Sequence, residues 1–145
     1  MYKALDIAYK ILKRATNEDS GELISNMKLQ KMLYYMQGFH LAYFGQPLFN
    51  DEIEAWMYGP VVPCVFDTFT SKGKIGIEYN GDVISLKEEE ETLFDKVYDV
   101  YMQYSAYGLM ELTHKERPWK SVPHGKGQII PKELIKSYFK TRIKK

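Results

Sequence analysis

Apolar side chains at Ala4, Leu5, Ala8, Ile11, Leu12 and Ala15 recur every three or four residues, which predicts a first amphipathic helix. The polar run at 17–21 ends that pattern and predicts a loop. A second helix is predicted over about 26–44, started by Ser25 or Asn26 as its cap and stopped by Gly45, with Pro47 beyond. Leu29, Met32, Leu33, Met36, His40 and Tyr43 form one stripe of it, while Tyr34, Tyr35 and Phe39 make other faces apolar as well. A helix patterned in this way is central and largely covered. Gly38 inside it costs about 1 kcal/mol relative to alanine, so close approach of another backbone is expected there.

Residues 52–58 alternate weakly and predict a short extended segment. Pro60 then stands where the first turn of a helix tolerates proline, with Pro63 still inside that turn and Val62, Val65, Phe66 and Phe69 as the buried stripe. Farther on, I-G-I-E-Y and D-V-I-S flank Asn80-Gly81, the strongest short hairpin signal in the chain. Ser85 and Glu88 have capping-box spacing ahead of a helix carrying Leu93, Phe94, Val97, Val100, Tyr101 and Tyr104. A shorter helix is predicted over 106–113, and Pro131 opens a last one that turns Ile130, Leu134, Ile135, Tyr138 and Phe139 inward. The expected fold is mainly α: a single compact helical domain over 1–145 with one small β-hairpin at about 75–85. No repeat or linker divides it.

Composition narrows the function classes. With 145 residues, 45% of them apolar and 27% charged, the chain is of ordinary globular make-up and long enough for one core. Its 12 tyrosines suit both a core and a surface that meets partners, since tyrosine joins a large apolar area to a polar tip. The 20 basic residues nearly balance 19 acidic ones, which argues against a general nucleic-acid field. Lys136, Lys140, Arg142, Lys144 and Lys145 crowd the end of the chain, where they also suit a helix C-terminus and a solvated face. The single cysteine, Cys64, excludes an internal disulfide and a Cys-cluster metal site, and no signal-peptide pattern opens the chain, so a cytoplasmic location is expected. No apolar run reaches the roughly 18 residues of a membrane span.

Nucleotide-binding glycine loops, the nucleophile elbow and the zinc-protease helix motif are absent from the sequence, and no cofactor or metal ligand set is expected. His40, among apolar neighbours, reads as a hydrogen-bonded core histidine. Cys64 near a helix start invites the question of a nucleophile, but Val62, Val65 and Phe66 around it point to burial. His124 reads as an exposed loop residue. Within L-T-H-K-E-R-P-W at 112–119, Thr113 and Glu116 have the spacing of a helix end tied off by local hydrogen bonds, while His114, Glu116 and Trp119 also suit contact with a partner. A hydrolase using His114 and Glu116 is the rival from another class.

Four motifs in order carry a resemblance: K-L-Q-K-M-L-Y-Y-M-Q-G-F-H-L-A at 28–42, G-Q-P-L-F at 45–49, I-E-A-W-M-Y-G-P-V-V-P at 53–63, and L-T-H-K-E-R-P-W at 112–119. The chain closely resembles the Panacea domain, the SocA-like antitoxin family also known from phage-associated GepA-like proteins. The resemblance implies a mostly helical antitoxin, not an enzyme, that neutralises a toxin encoded beside it by protein contact. Some members of the family are paired with translation-blocking toxins, and the SocA type acts instead as an adaptor delivering its toxin to the ClpXP protease. Many members carry a DNA-binding region ahead of the domain. Here residue 1 leads almost directly into the domain, and such a region is not expected.

Within this frame Y-G-P at 58–60 is expected to turn an extended segment into a helix, glycine permitting a tight backbone and proline presetting φ. The partner-binding candidates are Trp56, Tyr58, Gly59 and Pro60 on that turn, and Thr113, His114, Glu116, Pro118 and Trp119 on the second motif. The aromatic residues of the two are expected to converge on one contact surface.

Overall fold

A computed structural model of the chain describes residues 1–18 and 22–143. Among them are seven α-helices: α1 (Ala4–Asn17), α2 (Asn26–Phe44), α3 (Pro63–Thr68), α4 (Glu88–Tyr101), α5 (Ala106–His114), α6 (Arg117–Lys120) and α7 (Lys132–Lys140). One two-stranded antiparallel sheet joins β1 (Glu54–Trp56) to β2 (Gly59–Val61). The mainly α expectation is met. Residues 19–21 of the expected loop, and Lys144 and Lys145 of the basic end, lie outside the described residues.

α2 is the axis of the domain and is flanked by α1, α3, α4, α5, α7 and β2. Ser25 caps it by accepting from Lys28 N–H at 3.3 Å, and Gly45 ends it in the left-handed region at φ 73°. Tyr34 and Tyr35 are fully buried, as a helix apolar on several faces requires, whereas Tyr43 of the expected stripe is exposed. Its buried polar residues hydrogen-bond backbone groups of the segments packed around it. Gln37 accepts from Leu48 N–H at 2.8 Å and donates to Phe49 O at 2.8 Å. Gln30 accepts from Val62 N–H at 2.9 Å, and Asn26 donates to Phe66 O at 3.0 Å. His40 is the bonded core histidine expected, 2.6 Å from Gln46 O through Nδ1 and 2.6 Å from Glu90 Oε2 through Nε2.

Gly38 admits an aromatic ring where a backbone was expected. A Cβ at that position would overlap the ring of Phe139 from α7. Phe139 in turn packs edge-on against Tyr34, Tyr35 and Phe39, with centroids 5.3, 5.9 and 4.9 Å apart.

The sheet lies at 54–61 rather than at 75–85. An isolated two-stranded hairpin is marginal in water, and the 75–85 segment instead drapes over α1. Ile77 N–H donates to Ile24 O at 2.8 Å, Tyr79 N–H donates to Thr16 Oγ1 at 3.0 Å, and the Tyr79 ring lies 4.4 Å from Tyr9. Pro60 is therefore a strand residue, opposite Ala55, and Pro63 takes the first position of α3. α4 starts two residues beyond the Ser85 cap expected: Lys87 is its cap residue, and Lys87 N–H donates to Glu90 Oε1 at 3.1 Å. Among the described residues no helix is long and apolar enough to cross a membrane.

Candidate functional site

The turn Trp56–Gly59 closes the hairpin with only Met57 and Tyr58 between paired residues. Neither has positive φ, so Gly59, at φ 117°, supplies the backbone freedom that a two-residue turn of that hand needs. Both middle side chains face solvent, Met57 at 69% and Tyr58 at 58% exposure. Trp56, half-buried, packs edge-on against Phe66 at 5.1 Å, donates Nε1–H to Glu54 at 2.8 Å, and carries Lys126 Nζ over its ring at 5.5 Å. The outer side of β1 is covered by 125–130: Ala55 N–H donates to Gln128 O at 2.8 Å and Gly125 N–H to Ala55 O at 2.7 Å.

The second motif locks onto this turn. Trp119 Nε1–H donates to Trp56 O at 2.7 Å. The Trp119 ring is sandwiched between His114 and His124, at 3.8 and 3.6 Å, and His124 Nε2 lies 3.0 Å from Trp119 O. His124, the exposed loop residue expected, also takes part in this stack. The structure thus brings Trp56, Tyr58, His114 and Trp119 to one place, with Gly59 and Pro60 buried behind the turn and Pro118 buried at the first turn of α6.

Glu116 departs from the local helix-end reading. Its carboxylate is turned into the core, where it accepts from Tyr34 Oη and Tyr35 Oη, each at 2.9 Å. Burial pushes the Glu116 carboxyl up, and the two hydroxyls partly offset that shift. Both tyrosines are pushed well up, by burial first and then by the adjacent carboxylate. With both oxygens held by tyrosine and His114 stacked on Trp119, the two residues are not arranged as a carboxylate and the base it orients. Thr113 donates Oγ1–H to Met110 O at 2.8 Å and is fully buried.

Beneath Gly59 lies a residue that sequence reading missed. Lys31, on the face of α2 that also carries Tyr34 and Tyr35, is fully buried, and its Nζ has no hydrogen-bond partner among the described residues. Burial pushes its pKa down to about 7. His114 Nε2 is likewise unpartnered, and the His114 pKa is pushed down by burial, then by Lys31 and His124. The signal for Lys31 was available: a helix apolar on several faces leaves few of its polar residues a way to water.

Cys64, expected in the core, is exposed on α3. Its thiol lies 3.2 Å from Asp51 Oδ2 and is pushed up to about 11, by burial first and then by that carboxylate, which is the reverse of an activated nucleophile. A second surface feature is a largely apolar groove between α2 and α4, lined by Phe39, Tyr43, Leu93, Val97, Val100 and Tyr101 together with Lys96. Among the described residues no group of three His, Cys, Asp or Glu side chains is placed to hold a metal ion.

Fold and site together define a mainly α domain that presents an exposed, rigidly braced aromatic turn. The chain belongs to the antitoxin SocA-like, Panacea domain family, which matches residues 29–120. It is similar to antitoxin SocA of Caulobacter vibrioides (strain NA1000 / CB15N), with 31% identity over 117 residues, or 72% of this chain. The match spans 62% of that relative's length. No solved structure matches the chain.

Proposed function

We propose that this protein is a cytoplasmic antitoxin that neutralises a cognate protein toxin by direct contact, using the face built from the Trp56–Gly59 turn and the α5–α6 motif. Family membership supports the role. The observation that carries the location is the convergence of the two motifs: Met57 and Tyr58 project into solvent from a turn that Trp119 ties down through Trp56 O. An exposed aromatic on a braced support loses little freedom when a partner covers it, which is what makes tyrosine and tryptophan effective anchors.

Occupying the toxin requires no protease, whereas delivery to ClpXP requires the protease to be present. Co-expression with the product of the neighbouring reading frame in a host lacking ClpXP separates the two. Direct neutralisation keeps growth rescue intact; loss of rescue in that host would establish delivery instead.

A further inference from the structure

We propose, resting on the antitoxin reading above, that Lys31 and His114 form a buried receptor for an acidic side chain of the toxin, inserted beneath the Met57–Tyr58 turn.

The geometry gathers three elements around that amine. A Cβ on Gly59 would stand 2.8 Å from Lys31 Cε, 3.3 Å from Lys31 Nζ and 3.0 Å from Thr113 Oγ1, so β2, α2 and α5 meet at one point. Lys31 brings three N–H donors when protonated, and His114 Nε2 adds a further unpartnered ring nitrogen. Thr113 already spends its hydroxyl proton on Met110 O. Glu116, the nearest carboxylate in sequence, is held by Tyr34 and Tyr35, and Glu54 is held by Trp56 Nε1 and Gly127 N. The groups facing Lys31 are thus Gly59 of β2 and Thr113 and His114 of α5, with His124 behind Trp119; none is an anion. The free amine avoids an uncompensated buried charge by shedding its proton, whereas a carboxylate would accept from these donors and compensate the charge of the protonated form.

The surroundings favour the same partner. Lys126 Nζ lies over the Trp56 ring beside the turn, Lys115 and Lys120 are exposed next to His114 and Trp119 in the chain, and Glu116 is the one acidic residue between 112 and 132. A basic rim over an unpartnered buried amine is complementary to an acidic insertion. The cover is thin, since Met57 and Tyr58 point outward and Gly59 adds no side chain.

Insertion leaves a thermodynamic mark. At pH 8 the free Lys31 amine is mostly neutral, and an arriving carboxylate stabilises its protonated form, so complex formation takes up a proton. The experiment is calorimetric titration of the wild-type protein and Lys31→Met with the toxin encoded by the neighbouring reading frame, at pH 8, in phosphate and in Tris. The wild type should take up close to one proton per complex, and Lys31→Met should bind at least tenfold more weakly with no uptake. One Asp→Asn or Glu→Gln change in the toxin should weaken the wild type by a similar factor and leave Lys31→Met unaffected. Wild-type binding with no proton uptake overturns the inference without needing the variant to fold, and equal affinity for both proteins overturns it while leaving the antitoxin reading intact. A wild-type protein that does not bind the toxin overturns both.

Discussion

A buried amine without a partner sets how stability changes with pH. Lys31 in the folded protein titrates near 7, against roughly 10.4 for an unfolded lysine, so between these values the unfolded chain holds a proton that the folded one lacks. Stability therefore rises with pH through that window, by at most about 1.4 kcal/mol per pH unit, and the penalty is full below it. Above pH 9 the raised Cys64 thiol and the raised tyrosines act in the opposite sense, which leaves pH 7.5–9 as the useful range. Urea unfolding over that range should show the wild-type midpoint climbing and the Lys31→Met midpoint higher at pH 7.5 and nearly flat. A buried ion replaced by an apolar chain of similar volume gives that gain when the ion has no partner. Glu116 is the opposite case. Glu116→Ala strands two buried tyrosine hydroxyls, Tyr34 and Tyr35, and should cost about 3 kcal/mol in the same measurement. Neither role was legible beforehand for a common reason: spacing shows that Lys31 and Glu116 can be neighbours of apolar residues, but their partners, or lack of them, come from elements far apart in the chain.

At the scale of elements, the seam between α2 and α7 rests on one missing side chain. The Phe139 ring lies where a Gly38 Cβ would be, and Phe139 is itself buried. Gly38→Ala gains about 1 kcal/mol of helix propensity and incurs about 1–3 kcal/mol of overpacking, for a net loss of up to about 2 kcal/mol. Thermal melts of Gly38→Ala, and of the same change with Phe139→Leu, check this: the second substitution should recover part of the loss. The helices themselves were readable because period and caps are local properties; Ser25, Gly45 and Pro131 stand at the ends their chemistry predicts. The sheet was not. Asn80-Gly81 is a hairpin signal wherever it occurs, yet whether strands form beside it depends on competing burial, here of Ile77 and Leu86 against the helices. In the same way Pro60 suits a helix start and an edge strand equally, and its pairing opposite Ala55 of β1 makes it a strand residue.

For the molecule as a whole, the two motifs singled out in the sequence do converge, and the structure adds a distinction between them. Trp56 and Trp119 hold the turn together, so Trp119→Ala should lower stability by about 3 kcal/mol and weaken toxin binding in parallel. Tyr58 holds nothing within the fold among the described bonds and is 58% exposed, so its loss should be felt only by a partner. The most direct measurement is a binding titration of the purified toxin, in the absence of any protease, against the wild-type protein and Tyr58→Ala, with melting temperatures recorded alongside. The expected result is tight wild-type binding, a loss of about 2 kcal/mol or more for Tyr58→Ala, and an unchanged melting temperature. Equal affinity for both proteins would contradict the assignment of the contact face and direct attention to the groove between α2 and α4, and the absence of wild-type binding would contradict direct neutralisation itself.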